Sequence, residues 1–575
     1  MLKLFRFLKP YTLPVIVTVI LVFLQSMAEL YLPTLMSDVV NKGITNGNIN
    51  YIMNTGAFML LVALGDTLCA SLAVFLSSQV AMGFGRIIRA ELFAHVTKFS
   101  LHEFDKFSTP SLVNRSTNDV TQIQTLTMIG MRLMIMAPLM CIGGIIMAIS
   151  KDKDLAWVIV VAVPIMTVAI VVIAQKAFPL FQTIQTKLDK INLVLREGLI
   201  GIRVIRAFNR NKNQQKRFHA ANLDLTETTI TVNRLMAFLM PIMMLMTNLT
   251  TLGVIWFGSI RVDAGTTNVG NMMAFLQYAM QIMFAVLMAT MMFILLPRAQ
   301  ASATRINEVL AVVSEITDVK NPKTPGLQKG YLQFNNVSFS YHGAEEPAVK
   351  NISFSARPGE VTAIIGSTGS GKSTLINLIP RFYDVGSGSI TIDGLDVREM
   401  SQETLRSKIG LVPQKAILFT GTIAENIRYG KEDATDEEVG HAAEIAQATE
   451  FIAEMKDGFD SIIAEGGTNV SGGQKQRLSI ARALVGKPEI YVFDDSFSAL
   501  DFKTDARLRA ALKKETAEAT VIIVGQRVAT IMDSDRIIVL DEGKIAGMGT
   551  HKELYQTCEV YQEIVHSQLS AEEIA

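Results

Sequence analysis

Cysteine is almost missing from this chain. Cys69, Cys141 and Cys558 are the only three in 575 residues, and their positions form neither a disulfide framework nor a metal-ligand pattern. That scarcity fits a protein whose soluble parts face a reducing compartment. Charge is short as well, at 18% of residues against roughly 25% in an average soluble chain. Apolar residues reach 49%, so a large part of the chain is expected to meet lipid. Net charge is zero and no long basic run occurs, which excludes nucleic acid as the main partner. No low-complexity tract interrupts the sequence.

Charge-poor stretches long enough to cross a bilayer as helix, about 20 residues, recur near 13–36, 53–78, 127–149, 155–174, 236–260 and 270–296. The start at Met1 to Arg6 is basic and then apolar like a signal peptide. The apolar run that follows is too long and has no small-residue cleavage site, so it reads as a retained span. Long polar connections alternate with short ones. The long segments, 79–126 and 175–235, carry Arg196, Arg203, Arg206, Arg210, Lys212, Lys216 and Arg217, which places them in the cytoplasm by the positive-inside rule. Six spans then leave both termini on that side. Helical periodicity with few breakers predicts that the spans continue as helices into the cytoplasm. The organisation expected is a transmembrane domain over 1–310, a linker over 311–330 with Pro322 and Pro325, and a soluble α/β domain over 331–575.

The soluble part carries the chemistry. Gly366, Ser367, Thr368, Gly369, Ser370, Gly371, Lys372 and Ser373 follow the apolar run Val361 to Ile365 and precede Thr374, Leu375 and Ile376. Strand, glycine loop and helix in that order form a phosphate-binding loop: backbone N–H groups wrap the phosphates, Lys372 reaches the terminal ones, and the Ser373 hydroxyl binds Mg²⁺. A second apolar run, Ile490 to Phe493, ends in Asp494, the Mg²⁺-side carboxylate expected of a phosphate-loop ATPase. Between the two lie Ser471, Gly472, Gly473 and Gln474, followed by a helical stretch to Leu484.

This order of motifs resembles the ABC exporters in which a six-helix membrane domain is fused to an ATPase domain, and the resemblance covers nearly the whole chain. It implies ATP and Mg²⁺ as ligands and membrane lipid as surroundings, in a bacterial plasma membrane. Ser471 to Gln474 match the family's signature segment, and Thr374 continues the phosphate loop. Tyr341 stands where the family stacks an aromatic ring on adenine, Gln414 matches its Mg²⁺ and coupling glutamine, and Asp501 closes its dimer-interface loop. Ser116 to Val120 and Glu197 to Phe208 look like its intracellular loops. Two positions depart from the pattern. Where the family has a catalytic glutamate this chain has Asp495, one methylene shorter; where it has a switch histidine this chain has Gln526, which has no titratable proton near neutrality. A displacement of about 1 Å at a reacting group can cost on the order of 100-fold in rate. The family's paired ATPase domains place each nucleotide between one phosphate loop and the other domain's signature. A weakened loop beside an intact signature therefore resembles one half of a heterodimer whose second exporter half supplies the missing groups.

The spans contain two acidic residues, Glu29 and Asp66. Ionisable groups in lipid are costly and face a cavity or a partner, so substrate contact and an interhelix hydrogen bond both stay open. Methionines cluster at Met236 to Met246 and at Met280 to Met292 and suit either a promiscuous apolar surface or plain packing. Gln277, Gln281, Asn248 and Arg298 are further candidates to line a route. The substrate expected from the family is a small lipophilic or cationic compound. A homodimeric peptide or lipid exporter and a nucleotide-gated regulatory protein are the alternatives.

Overall fold

The computed structural model describes residues 3–326 and 329–568. Residues 327 and 328 of the expected linker and the outer ends of both expected domains lie outside the described residues. The chain divides into two compact units: residues 1–97 with 109–312, and residues 98–108 with 313–575.

The first unit is helical. Its main helices are α1 (Thr12–Asp38), α2 (Ile49–Val96), then, after the short α3 (Leu101–Phe107) of the other unit, α4 (Val120–Lys151), α5 (Ala156–Ile200), α6 (Ile202–Ala207), α7 (Asn211–Ala237), α8 (Leu239–Asp263) and α9 (Val269–Leu310). Among the described residues six helical stretches are long and apolar enough to cross a membrane. Several run 40 residues or more, well beyond the roughly 20 a bilayer needs, as the unbroken periodicity predicts. The fifth stretch breaks at Phe238, between α7 and α8. Pro241 has no N–H to give to the Ala237 carbonyl, and it falls in the first turn of α8, where that missing donor costs least.

The core of this unit joins α1, α4, α5 and α9 through Val22, Leu30, Met136, Met140, Val158, Phe275 and Ile282. Tyr278 is fully buried among them, and its hydroxyl donates to the Leu30 carbonyl at 3.0 Å while meeting Thr34 Oγ1 at 2.6 Å. Toward the cytoplasm Asp119, only 2% exposed, accepts a two-pronged bond from Arg305 and another from Ser302 at 2.9 Å. Only the Asp119 side of this pair is buried, so loss of Arg305 would leave a buried carboxylate short of donors at a cost of about 1–3 kcal/mol. The segment Ser116 to Asp119 is therefore held to the lower end of α9.

The second unit is an α/β domain with two main sheets. β2 (Val349–Ala356), β1 (Leu332–Phe339), β4 (Ser387–Ile392) and β5 (Leu395–Asp396) form the antiparallel one. The central sheet runs β12 (Lys544–Gly549), β11 (Arg536–Asp541), β3 (Val361–Gly366), β10 (Thr520–Val524), β9 (Ile490–Asp494) and β6 (Ile409–Val412). All its neighbours pair in parallel except the edge strand β12. A pair β7 (Gly421–Thr422) and β8 (Ile462–Ile463) completes the set. The central strands are apolar throughout because both faces are covered. Ile364, Val492, Ile522 and Ile538 point into one core, while Ala363, Ile365, Phe493, Ile523 and Val539 point into the other. That alternation follows the two-residue period of a strand. The carboxyl ends of β3 and β9 thus emerge on the same edge of one sheet.

Candidate functional site

The loop from Gly366 to Ser373 leaves β3 and enters α10 (Lys372–Leu378). Gly371 takes the left-handed φ of 98° just before the helix, and a Cβ there would stand 2.7 Å from the Ala348 carbonyl oxygen. Only glycine suits both demands. Lys372 Nζ donates to the carbonyls of Gly366 at 2.8 Å and Ser367 at 2.7 Å, so its charge sits in the mouth of the loop. Burial lowers the hold of Lys372 on its proton, and Asp494 and Asp495 act in the opposite direction. Thr374 Oγ1 lies 3.0 Å from Tyr341 Oη. The Tyr341 ring stands edge-on to Phe339 at 5.0 Å and to Tyr383 at 5.5 Å, leaving it partly exposed beside the loop.

Asp494 ends β9, and its carboxyl is pushed up to about 6 by burial and then by neighbouring Asp495, against the pull of Lys372. A half-buried carboxylate pair with one lysine is short of positive charge, which fits a divalent cation. Among the described residues no three histidine, cysteine or carboxylate side chains converge on a metal. Mg²⁺ here would take Ser373, Asp494 and Gln414 as its protein side and nucleotide phosphates for the rest, its usual arrangement.

Asp495 has a left-handed backbone, φ 49°, a region that Asp and Asn enter more readily than most residues. Burial raises its carboxyl above the ordinary range, while hydrogen bonds from Gln414 and Ser498 pull it back. The Gln414 contact is long, 3.5 Å from Nε2 to Oδ2. Gln526 lies two residues beyond Val524, which pairs directly with Asp494 across the sheet. Its backbone is braced from the C-terminal helix: Gln568 donates to the Gln526 carbonyl and accepts from the Val528 N–H, each at 2.8 Å.

The signature residues occupy another edge. Ser471 caps α11 (Gly472–Leu484), accepting from Gln474 N at 3.3 Å, and the Gln474 side chain accepts from Ser471 N at 2.8 Å. This reciprocal pair is a capping box, and it leaves Ser471 and Gly472 exposed. Asp501 caps α12 (Phe502–Glu515) through Thr504 N at 3.0 Å, and that bond holds its carboxyl below the ordinary range. Among the described residues no hydrogen bond joins Ser471 to Gln474, or Asp501, with the phosphate loop. The structure thus brings Tyr341, Lys372, Ser373, Thr374, Gln414, Asp494, Asp495 and Gln526 to one region of the domain and gives the signature no partner there.

Three contributors were not foreseen: Tyr383, Gln568 and the helix α3. Ser100 and Glu103 form a capping box at the start of α3, visible in the sequence as a Ser-x-x-Glu spacing. Glu103 also accepts from the Glu315 N–H at 3.3 Å. The His102 ring lies 5.1 Å from that of His342, the neighbour of Tyr341.

In the membrane unit Glu29 lines a cavity of about 190 Å³ together with Gln277, Gln281, Met136, Met140 and Met280. Asp66, Asn248 and Arg298 are not among its lining residues.

Two family models match the chain: one described as the ABC transporter transmembrane region over residues 15–286, the other as ABC transporter over residues 349–498. An "Uncharacterized ABC transporter ATP-binding protein" of Mycobacterium tuberculosis is 44% identical over 98% of this chain and 97% of its own length. A "Probable multidrug resistance ABC transporter ATP-binding/permease protein" of Bacillus subtilis is 31% identical over 98% of this chain and 96% of its own. Among solved structures, that of a bacterial Atm1-family ABC exporter with ATP bound matches with a TM-score of 0.81 at 26% identity, covering 97% of this chain and 98% of the other.

Proposed function

Because the chain belongs to the ABC transporter family, with membrane region and ATPase domain on one polypeptide, we propose that it is one half of a heterodimeric exporter. It is a transport ATPase and a multi-pass protein of the bacterial plasma membrane, with its ATPase domain in the cytoplasm. In this reading the phosphate loop binds ATP and Mg²⁺ but splits ATP poorly, and Ser471 to Gln474 serve the partner's catalytic site. The division into a transmembrane domain 1–310, a linker 311–330 and a nucleotide-binding domain 331–575 belongs to the same reading.

The observation that carries it is Asp495. Its carboxylate is one methylene short of the family's glutamate and lies toward Gln414 and Ser498. Gln526 compounds the loss, since an amide can hydrogen-bond a γ-phosphate but cannot carry a proton near neutrality. A separate feature supports a second subunit. At the tip around α6, Ile200, Val204 and Phe208 are 80%, 60% and 72% exposed, an apolar cluster that calls for cover by another chain. The exported compounds are lipophilic, some of them cationic, in keeping with the methionine-lined cavity at Glu29 and with the multidrug name of the Bacillus relative.

The test is ATP hydrolysis by the chain alone, by the chain with its partner half, and by the Asp495→Glu, Gln526→His double variant alone. The double variant should turn over much faster than the unaltered chain. Equal rates would show instead a homodimer that hydrolyses at its own sites.

A further inference from the structure

The membrane unit leaves a set of buried oxygens without donors. Gln25 Oε1, Glu29 Oε2, Asp66 Oδ1 and Gln281 Oε1 are all buried with no hydrogen-bond partner. Gln25 is only 7% exposed and sits one turn before Glu29, on the same face of α1. Gln281 Nε2 donates to the Glu29 carbonyl at 3.1 Å. Only the amide nitrogen can do so, and the free end of Gln281 is therefore an acceptor. Neither Glu29 nor Asp66 is in an ion pair among the described residues. Among the described residues of this unit the one orphaned donor, Arg132 Nε, belongs to α4 and does not line the cavity.

A buried acceptor without a donor costs free energy that a ligand bringing N–H groups would recover. A quaternary ammonium would answer the charge but none of the hydrogen bonds; an alcohol would answer one bond and no charge. Around Glu29 and Gln281 the cavity wall is apolar and pliable, built from Met136, Met140, Met280, Phe284 and Met288.

We propose that this cavity selects amphipathic compounds carrying a primary or secondary ammonium, whose N–H groups bond Glu29 and Gln281 while the apolar body lies on the methionines. The proposal rests on the reading of the membrane unit as an export route, and deepens it by naming the substrate class.

The probes are an aryl-propylamine, its N,N,N-trimethylammonium counterpart and the matching alcohol. Each is titrated by equilibrium binding against the full transporter in lipid nanodiscs without nucleotide. The amine should bind about tenfold tighter than either analogue, the scale of one charge-assisted hydrogen bond. In Glu29→Gln and in Gln281→Leu alike the amine-to-trimethyl ratio should fall by about threefold, the share of one of two acceptors. Thermal unfolding identifies a misfolded variant, and the two substitutions act on different helices, so one can stand in for the other. Equal binding of amine and trimethyl compound, a ratio unchanged in both variants, or no binding of any probe overturns the proposal. ATP-driven uptake into inverted vesicles is scored apart. Selective binding without uptake defeats the export reading and leaves the site; uptake of all three probes without preference defeats the site alone.

Discussion

The two nucleotide-facing edges of the ATPase unit differ in what they keep. In the proposed reading the phosphate-loop edge keeps the groups that grip a nucleotide, while the two positions that act on water hold Asp495 and Gln526. The signature edge keeps the family's residues in that reading, and Ser471 and Gly472 stand exposed at the start of α11. On that reading binding and hydrolysis are separable within one domain, and a deficiency on one edge says nothing about the other.

The sharpest way to break that comparison is Gly472→Asp. A Cβ at Gly472 meets no atom within 4 Å, so the domain should fold, but the new carboxylate would face the partner's phosphates at the start of α11. Hydrolysis by the assembled transporter should fall about 100- to 1,000-fold, the scale of losing an oriented donor at a developing charge. A fall of less than tenfold in a phosphate-release assay would mean that the signature does not serve the catalytic site. Next comes Tyr341→Ala, which removes the ring beside the loop. ATP affinity of the chain, measured by fluorescence titration, should weaken about tenfold, as expected for a lost stacking partner, with Tyr341→Phe close to the parent. An unchanged affinity would move the adenine elsewhere. The smallest effect is expected from Ser471→Ala, which removes one side of the capping box. Loss of such a cap costs about 1 kcal/mol, readable as an earlier denaturant midpoint for the ATPase domain. A shift in nucleotide turnover larger than that would assign the hydroxyl a contact with the partner's nucleotide as well.

Much of this could be read from residues alone, for identifiable reasons. The six spans follow from apolar length, and the helices run past them because 79–96 holds no proline and the helix stays continuous through Pro179 in 175–200. The phosphate loop, Asp494 and the capped signature helix are local patterns in which neighbouring residues meet one another. What stayed hidden depends on distant pairing. Gln568 reaches Gln526 and Val528 over about forty positions, and no spacing announces it. The break at Phe238 was legible only in hindsight, through Pro241. The four unpaired oxygens near Glu29 and Gln281 could not be foreseen either, because the lack of a partner is a property of packing and not of any residue's type.

The helix α3 has a practical consequence. Residues 98–108 group with 313–575 and not with the helices on either side of them, and they supply Glu103 to the Glu315 N–H and His102 to His342. A fragment made by cutting the gene at the linker would therefore leave out a piece of the very domain it was meant to isolate. Such a fragment would expose the His342 side next to Tyr341, and nucleotide affinities measured on it would describe a protein lacking its own strap. Returning residues 98–108 as a synthetic peptide would be the simplest repair.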